Sequence, residues 1–230
     1  MVKLHFLGRG AAFYPVFKNT NAFFEYGKDL YCLDFGETAF EQVAKHLPLA
    51  QYEHIYVLLT HLHADHSGSL ASFASYLYCV IGKQLVVIHP EDTVDRLLAL
   101  QGIAKHFYQR LPALPPEVGV SVRFIPVPHA VDIHAFGMRI TCGEETFYYS
   151  GDAAELPQDV LADFLAGKVV HIYHDTASHP SESHCYYQKL VDAIPPERRG
   201  DVSCMHLDCD MEKQLRALGF DVVTCAFEDK

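Results

Sequence analysis

Six consecutive residues concentrate the chemistry of this chain: His61, Leu62, His63, Ala64, Asp65 and His66. They pack three imidazoles and one carboxylate into a single turn. Nitrogen and oxygen donors that converge without thiolates suit zinc or a similar first-row divalent ion. Four donors are more than one open catalytic zinc needs, so the run reads as half of a two-metal site. The chain has fifteen histidines, and a lone histidine is usually a surface or satisfied core residue. Four ligand-type residues in six positions, directly after an apolar run, are another matter. A buried polar cluster there is costly unless something satisfies it.

The apolar run is Ile55-Tyr56-Val57-Leu58-Leu59. It predicts a buried strand over 54–59, and a strand aims the residues that follow it with little freedom. Further strands are predicted at 3–8, 23–26 and 30–34, the last two joined by a hairpin-like turn at Gly27-Lys28-Asp29. A helix is expected over 37–46, ending before Pro48, and another over 67–80 with Ser67 as its N-cap. A strand at 85–89 and a helix at 92–101, closed by Gly102, follow. Residues 103–110 suggest a short helix, and the prolines of 111–116 exclude regular structure there. Strands at 120–127, 136–142, 145–150, 169–174, 202–206 and 220–224 complete the chain, with helices near 183–193 and at 211–217. Strands in runs with helices between them are consistent with an α/β fold of two mixed sheets flanked by helices.

A chain of 230 residues suits one such domain, spanning 1–230, with a sizeable core. No apolar stretch reaches the roughly 18 residues of a membrane-spanning helix. The opening residues go directly into strand-like alternation without a basic leader or apolar signal region, which implies a cytoplasmic protein. The seven cysteines are odd in number and scattered, against a disulfide framework. Cys32, Cys79, Cys142 and Cys225 read as core thiols in a reducing compartment. Cys204 and Cys209 flank His206 and are the alternative thiolate ligands. The formal net charge of −11 opposes a long polyanion on the surface, so no stable nucleic-acid or membrane partner is expected. Two bound divalent ions would reverse the sign locally and admit a small anion.

The run His61–His66 resembles the HxHxDH signature of the metallo-β-lactamase superfamily, whose fold is the αββα sandwich. The family supplies a third metal-site histidine after a later strand, matched by Val127-Pro128-His129. Its bridging carboxylate at a Gly-Asp step is matched by Tyr149-Ser150-Gly151-Asp152, and its last histidine by Val202-Ser203-Cys204-Met205-His206. The order is the family's, over nearly the whole chain. The resemblance implies that His61, His63 and His129 hold one metal, that Asp65, His66 and His206 hold the other, and that Asp152 bridges them. The implied metals are two divalent ions, zinc first and manganese as the alternative. Alternate residues of an extended segment share a face, as His61 and His63 would. A carboxylate has lone pairs enough for two metals, and Gly151 allows close backbone approach. A water between the ions would ionise near neutral pH and become the nucleophile. Asp65 counts among the catalytic residues as well as the ligands. Redox relatives of the flavodiiron type tend to carry Glu where His63 stands, so His63 favours hydrolysis.

Three passages narrow the branch. Phe6-Leu7-Gly8-Arg9-Gly10-Ala11-Ala12 with Asn19-Thr20-Asn21, then Leu33-Asp34-Phe35-Gly36-Glu37, then His174-Asp175-Thr176-Ala177 resemble motifs of tRNase Z. By that resemblance Asp175 is the acid of a catalytic pair and His184 its histidine, with His179 as rival. An imidazolium oriented by a carboxylate suits protonation of an alkoxide leaving group. His174 would orient neighbours at its strand end, while His89, His106, His134 and His171 read as structural. tRNase Z carries a tRNA-binding arm between its third histidine and its bridging aspartate. Here the interval from His129 to Asp152 is nearly filled by strands, and no basic patch replaces an arm.

A tRNase Z-like catalytic half without the tRNA-gripping half resembles the small cyclic nucleotide phosphodiesterases of the anti-Pycsar type. These hydrolyse 3′,5′-cyclic nucleotides to nucleoside 5′-monophosphates as homodimers in which one subunit helps complete the other's pocket. A small anionic phosphodiester is therefore the expected substrate, and a homodimer the expected assembly, with 102–119 a contact or lid. Phe13, Tyr14, Phe17, Phe107 and Tyr108 are candidates to stack on a base, though packing is the commoner use of such residues. The alternatives are a tRNase Z-like ribonuclease without its arm, an ester, lactone or β-lactam hydrolase, and a non-catalytic scaffold.

Overall fold

The computed structural model describes residues 2–227, so Met1 and residues 228–230 of the expected domain lie outside the described residues. Twelve strands form two six-stranded sheets. The first contains β1 (His5–Phe6), β2 (Ala22–Tyr26), β3 (Asp29–Leu33), β4 (Ile55–Leu58), β5 (Leu85–Ile88) and β6 (Tyr108–Leu111), in that order. The second contains β7 (Val120–Val127), β8 (Ala135–Cys142), β9 (Glu145–Tyr149), β10 (His171–Asp175), β11 (Val202–Met205) and β12 (Asp221–Val222), again in chain order across the sheet. Each sheet begins with antiparallel pairs and continues with parallel ones, from β3 to β6 and from β9 to β12. Both sheets are mixed, as the strand pattern led us to expect.

Strand alternation explains the layering. Tyr31, Leu33, Tyr56 and Leu58 face Met138, Ile140, Phe147 and Tyr149 of the other sheet in a shared core. The intervening Leu30, Cys32 and Val57 pack outward against α1 (Ala39–His46), α3 (Leu70–Tyr76) and α4 (Thr93–Leu100), which follow α1 and the single-turn α2 (Ala64–Ser67) in the chain. Tyr148, Ile172, Val202 and Cys204 pack outward against α5 (Gln158–Leu165), α6 (Tyr187–Ala193) and α7 (Glu212–Ala217). Helices, sheet, sheet and helices stack as an αββα sandwich. Because β3, β4, β5, β9, β10 and β11 run the same way within their sheets, their carboxyl ends gather the following loops at one edge, the usual place for a site in parallel sheets.

Several expected elements differ. The helix expected over 67–80 begins later: the chain turns at α2, starts helix again at Leu70 and runs on into a π turn, Leu77–Ile81, closed by Gly82 in the left-handed region. Ser67 is not an N-cap; it ends α2, and its hydroxyl donates back to the Leu62 and His63 carbonyls just before that turn. The break occurs because Ser69 is held to another loop, its hydroxyl donating to Gly36 O at 2.5 Å and accepting from Phe40 N. The short helix expected at 103–110 is one 3-10 turn, Lys105–Phe107, followed by β6, which satisfies the free edge of β5. The segment 102–119 thus contributes a sheet edge. α5 had no counterpart among the expected elements, although Val160, Leu161 and Phe164 follow Pro157 at helical spacing. Cys79 is exposed and Cys225 half-buried, against their expected core placement, and Cys32, Cys79, Cys142, Cys185, Cys204 and Cys209 are free thiols. Among the described residues no helix is long and apolar enough to cross a membrane.

Candidate metal centre

The side chains singled out from the sequence meet at the carboxyl edge. His61 and His63 follow β4 in extended chain, and Asp65 and His66 lie on α2. His129 follows β7, Asp152 follows β9, Asp175 ends β10 and His206 follows β11. His61, His63, His129 and Asp152 form one group. Asp65, His66, Asp152 and His206 form a second. Asp152, Asp175, His184 and His206 form a third, and within each group the donor atoms lie within 4.8 Å of one another. Asp152 belongs to all three. Its Oδ1 lies 3.1 Å from His66 Nε2 and 3.2 Å from His206 Nε2, and its Oδ2 lies 3.9 Å from His61 Nε2 and 3.6 Å from His129 Nε2. One oxygen faces each histidine group.

Hydrogen bonds on the far side of each ring set where the lone pairs point. The Thr60 hydroxyl is 3.0 and 2.9 Å from the two Asp34 oxygens, so its proton goes to Asp34. His61 Nδ1–H must then donate to Thr60 Oγ1, at 3.0 Å. His129 Nδ1–H donates to the Ser183 carbonyl at 2.9 Å. Both Nε2 atoms are left as acceptors, and they lie 3.0 and 3.2 Å from His63 Nδ1. Three imidazole nitrogens converge on one point, an arrangement a cation relieves.

The second group makes the same demand. His66 Nδ1–H donates to Asp34 at 2.9 Å, and its Nε2 faces Asp65 and Asp152 at 3.2 and 3.1 Å. His66 Nε2 and Asp152 Oδ1 are both buried without a hydrogen-bond partner. Buried orphans of this kind require explanation, and the donor set fits a divalent ion without thiolates. Cys204 is buried in the apolar layer beside α7, which pushes its thiol up to about 12, and neither it nor Cys209 joins a donor group.

Charge separates the two groups. Burial and the neighbouring His66 hold His61 well below the usual imidazole range, and burial lowers His129, so both favour the neutral ligand form. Burial also opposes a charge on His206, but Asp152, Asp175 and Asp65 together push it up to about 10. Burial likewise opposes a charge on His66, yet Asp152, Asp34 and Asp65 raise it well above the ordinary value. The second group thus attracts positive charge, which a bound cation supplies in place of protons.

Asp34 carries more of this architecture than the sequence motif revealed. It is fully buried, it sits in the left-handed region at φ 61°, and it holds Thr60 N at 2.7 Å as well as Thr60 Oγ1 and His66 Nδ1. One carboxylate therefore orients His66 directly and His61 through Thr60. His206 is also left-handed, at φ 56°. Such conformations cost about 1–3 kcal/mol each and collect at functional sites. Gly36 is needed beside them: a Cβ there would lie 1.8 Å from Asp65 O, while Gly36 N donates to Asn21 Oδ1 and Asn21 Nδ2 donates to Asp65 O. Gly151, at φ 56°, packs against Thr60, where a Cβ would fall 2.6 Å from Thr60 Cγ2. Asp34→Asn is expected to weaken metal binding about 10- to 100-fold, measured by competition with a chromophoric chelator. Unchanged affinity would remove Asp34 from this role.

Asp175 organises the other side. Its Oδ2 accepts from His184 Nδ1 at 2.8 Å and from Ala153 N at 3.1 Å, while its Oδ1 lies 3.4 Å from His206 Nδ1. Burial lowers His184, but the hydrogen bond and charge of Asp175, with Asp152, raise it overall. His179, the rival, is exposed and pairs with Asp208. His174 is buried and its Nδ1–H donates to the Asp175 carbonyl.

The aromatic candidates divide. Phe13 is exposed on the loop after Gly10, which bridges to Leu207 beside His206. Phe17 lies under the Arg9 guanidinium, with Tyr14 edge-on to it. Tyr108 is buried in the outer core, and Phe107 stacks on Tyr78. Parallel pairing of Leu85 with Tyr108 puts Phe107 and Tyr108 at the amino end of β5, away from the metal edge, so neither is a base platform.

Comparison with known proteins agrees with this architecture. The chain is 27% identical over 238 residues to the anti-Pycsar protein Apyc1 of Paenibacillus sp. (strain J14), covering 95% of this chain and 94% of that one. Its fold is similar to that of the metallo-β-lactamase fold protein YhfI from Bacillus subtilis, with a TM-score of 0.76, 18% identity, and coverage of 96% of this chain and 95% of that one. It is also similar to human tRNase Z, short form, with a TM-score of 0.72, 17% identity, and coverage of 99% and 98%. The family model described as anti-Pycsar protein Apyc1 matches residues 2–224, and with that match across an αββα sandwich the chain belongs to the anti-Pycsar Apyc1 family.

Proposed function

We propose that this metal-dependent hydrolase opens 3′,5′-cyclic nucleotides to nucleoside 5′-monophosphates. The observation that carries the reading is the Asp175–His184 pair, joined at 2.8 Å, with His184 Nδ1 only 4.0 Å from Asp152 Oδ2. Ester and lactone hydrolysis has less need of a dedicated proton donor beside the donor cluster, whereas expulsion of a sugar alkoxide needs one. The family's description supports the substrate class.

His61, His63 and His129 would hold one divalent ion, Asp65, His66 and His206 the other, and Asp152 both. Zinc is the metal of this reading and manganese its alternative. Such a pair supplies a nucleophilic water near neutral pH and neutralises charge on the attacked phosphodiester. His184 keeps its Nδ1–H on Asp175, which leaves Nε2–H as the transferable proton. As the P–O3′ bond breaks, that proton passes to O3′, and the product leaves as the 5′-monophosphate. The His184 side chain retains 31% exposure, enough for reprotonation from solvent. Asp175 fixes the ring and stabilises its cationic form. The reading also carries a homodimer in the cytoplasm as the working assembly.

The test is incubation of the zinc- or manganese-loaded protein with cyclic AMP, GMP, CMP and UMP, and separately with precursor tRNA. Nucleoside 5′-monophosphates, identified by chromatography, are the expected products. Cleavage of the RNA alone, or of neither substrate class, contradicts the proposal.

A further inference from the structure

Beside His129 a cleft of about 530 Å³ opens, lined by Glu91, Pro128, Val131, His134 and Phe136. Its size falls in the range of small-molecule sites. A smaller cavity of about 280 Å³, reached from Leu62 between the two leading histidines, shares Glu91 and His134 as its wall. The Glu91–His134 pair therefore lines two openings, the larger of which is also walled by His129. The cleft is mostly apolar: Val131 is fully exposed and Phe136 contributes an aromatic ring.

Glu91 is held in place from behind. It lies just past β5, at the same carboxyl edge as His61. His89 is 1% exposed, and its Nδ1 lies 3.2 Å from Glu91 N and 3.1 Å from Glu91 O. The His89 ring packs at 86° to Phe136, with centroids 5.7 Å apart. A buried imidazole thus ties the Glu91 backbone to the aromatic wall of the cleft. The Glu91 side chain is aligned by His134, whose Nδ1–H donates to Oε1 at 2.5 Å. One accepted bond leaves most of a carboxylate's lone pairs free.

Resting on the phosphodiesterase reading above, we propose that this cleft holds the nucleobase and that Glu91 is its specificity-determining residue, favouring bases with an exocyclic amino group. A phosphate at the metal centre is adjacent to His129, and His129 is also a wall of the cleft. The apolar lining suits a flat heterocycle. A carboxylate accepts hydrogen bonds and donates none. It pairs with the amino groups of cytosine, adenine and guanine. Uracil has no amino group, and its only ring N–H that remains free is flanked by carbonyl oxygens that repel a carboxylate.

The experiment compares kcat/KM for cyclic GMP, CMP, AMP and UMP in the metal-loaded protein and in Glu91→Gln. The amide keeps the shape, removes the charge and adds a donor. Roughly tenfold loss is expected for the three amino-bearing nucleotides, with cyclic UMP unchanged or improved. His134→Ala, a change at an exposed ring, should lower the same preference about threefold through loss of one aligning hydrogen bond. An equal effect on all four substrates, or none, overturns the base subsite while leaving the phosphodiesterase reading standing. Failure of the unmodified protein to turn over any cyclic nucleotide overturns both.

Discussion

His184→Ala is expected to slow hydrolysis of a cyclic nucleotide by about 10²–10⁴-fold, the usual contribution of a general acid. Metal content should not change, because His184 lies outside the two groups that would hold the ions. The loss depends on the leaving group. A sugar alkoxide is strongly basic and needs the proton, whereas a nitrophenolate departs without one. The same variant should therefore cleave bis(p-nitrophenyl) phosphate at nearly the original rate. The pH profile supplies a second readout. Asp175 and Asp152 raise His184 above its ordinary value against the effect of burial, so the reactive protonated form persists past the usual imidazole range near ~6.5. Activity should fall as pH rises through the raised value, and that descending limb should vanish in the variant. Equal loss on both substrates would show that His184 supports the fold or the metals and not the leaving group.

Asp152→Ala should be more damaging. One oxygen of Asp152 faces His66 and His206 and the other faces His61 and His129. No other carboxylate among the described residues is common to all three donor groups. In a dinuclear centre its loss would remove a ligand shared by both ions and leave their mutual repulsion less compensated. Metal catalysis is worth several kcal/mol, at about 1.36 kcal/mol per tenfold in rate, so a fall of ~10³-fold or more is expected. Unlike His184→Ala, this variant should lose activity on bis(p-nitrophenyl) phosphate as well, and excess metal should not restore it. A rate within tenfold of the original on either substrate would contradict a bridging role. Retention of both metals by Asp152→Ala would do so as well.

The contrast between these residues also explains what a linear reading can reach. His61, His63, Asp65 and His66 lie within six residues, so their clustering was legible from spacing and from the apolar strand before them. His129, Asp152 and His206 each directly follow a strand, and parallel strands bring such positions to one edge. Asp34 and Thr60 hydrogen-bond to His66 and His61 from behind the rings. A single acid after a strand looks the same in sequence whether it orients two rings or meets solvent. Glu91 was equally hidden, because its significance comes from His134 and His89, and only the meeting of β5 with the loop after His129 brings them together. The helix read from periodicity over 67–80 begins only at Leu70, because the tertiary hydrogen bonds of Ser69 hold the chain just before it. β6 is set by the open edge of β5 more than by its own composition.

Metal stoichiometry tests the central claim most directly. Native mass spectrometry of the protein, purified without chelator and supplied with zinc, should show two ions per chain. His61→Ala with His129→Ala should lower that number to one, because the group containing His66 and His206 remains intact. Fewer than two ions in the unmodified chain, or two still bound in the double variant, would contradict a dinuclear centre built from these side chains.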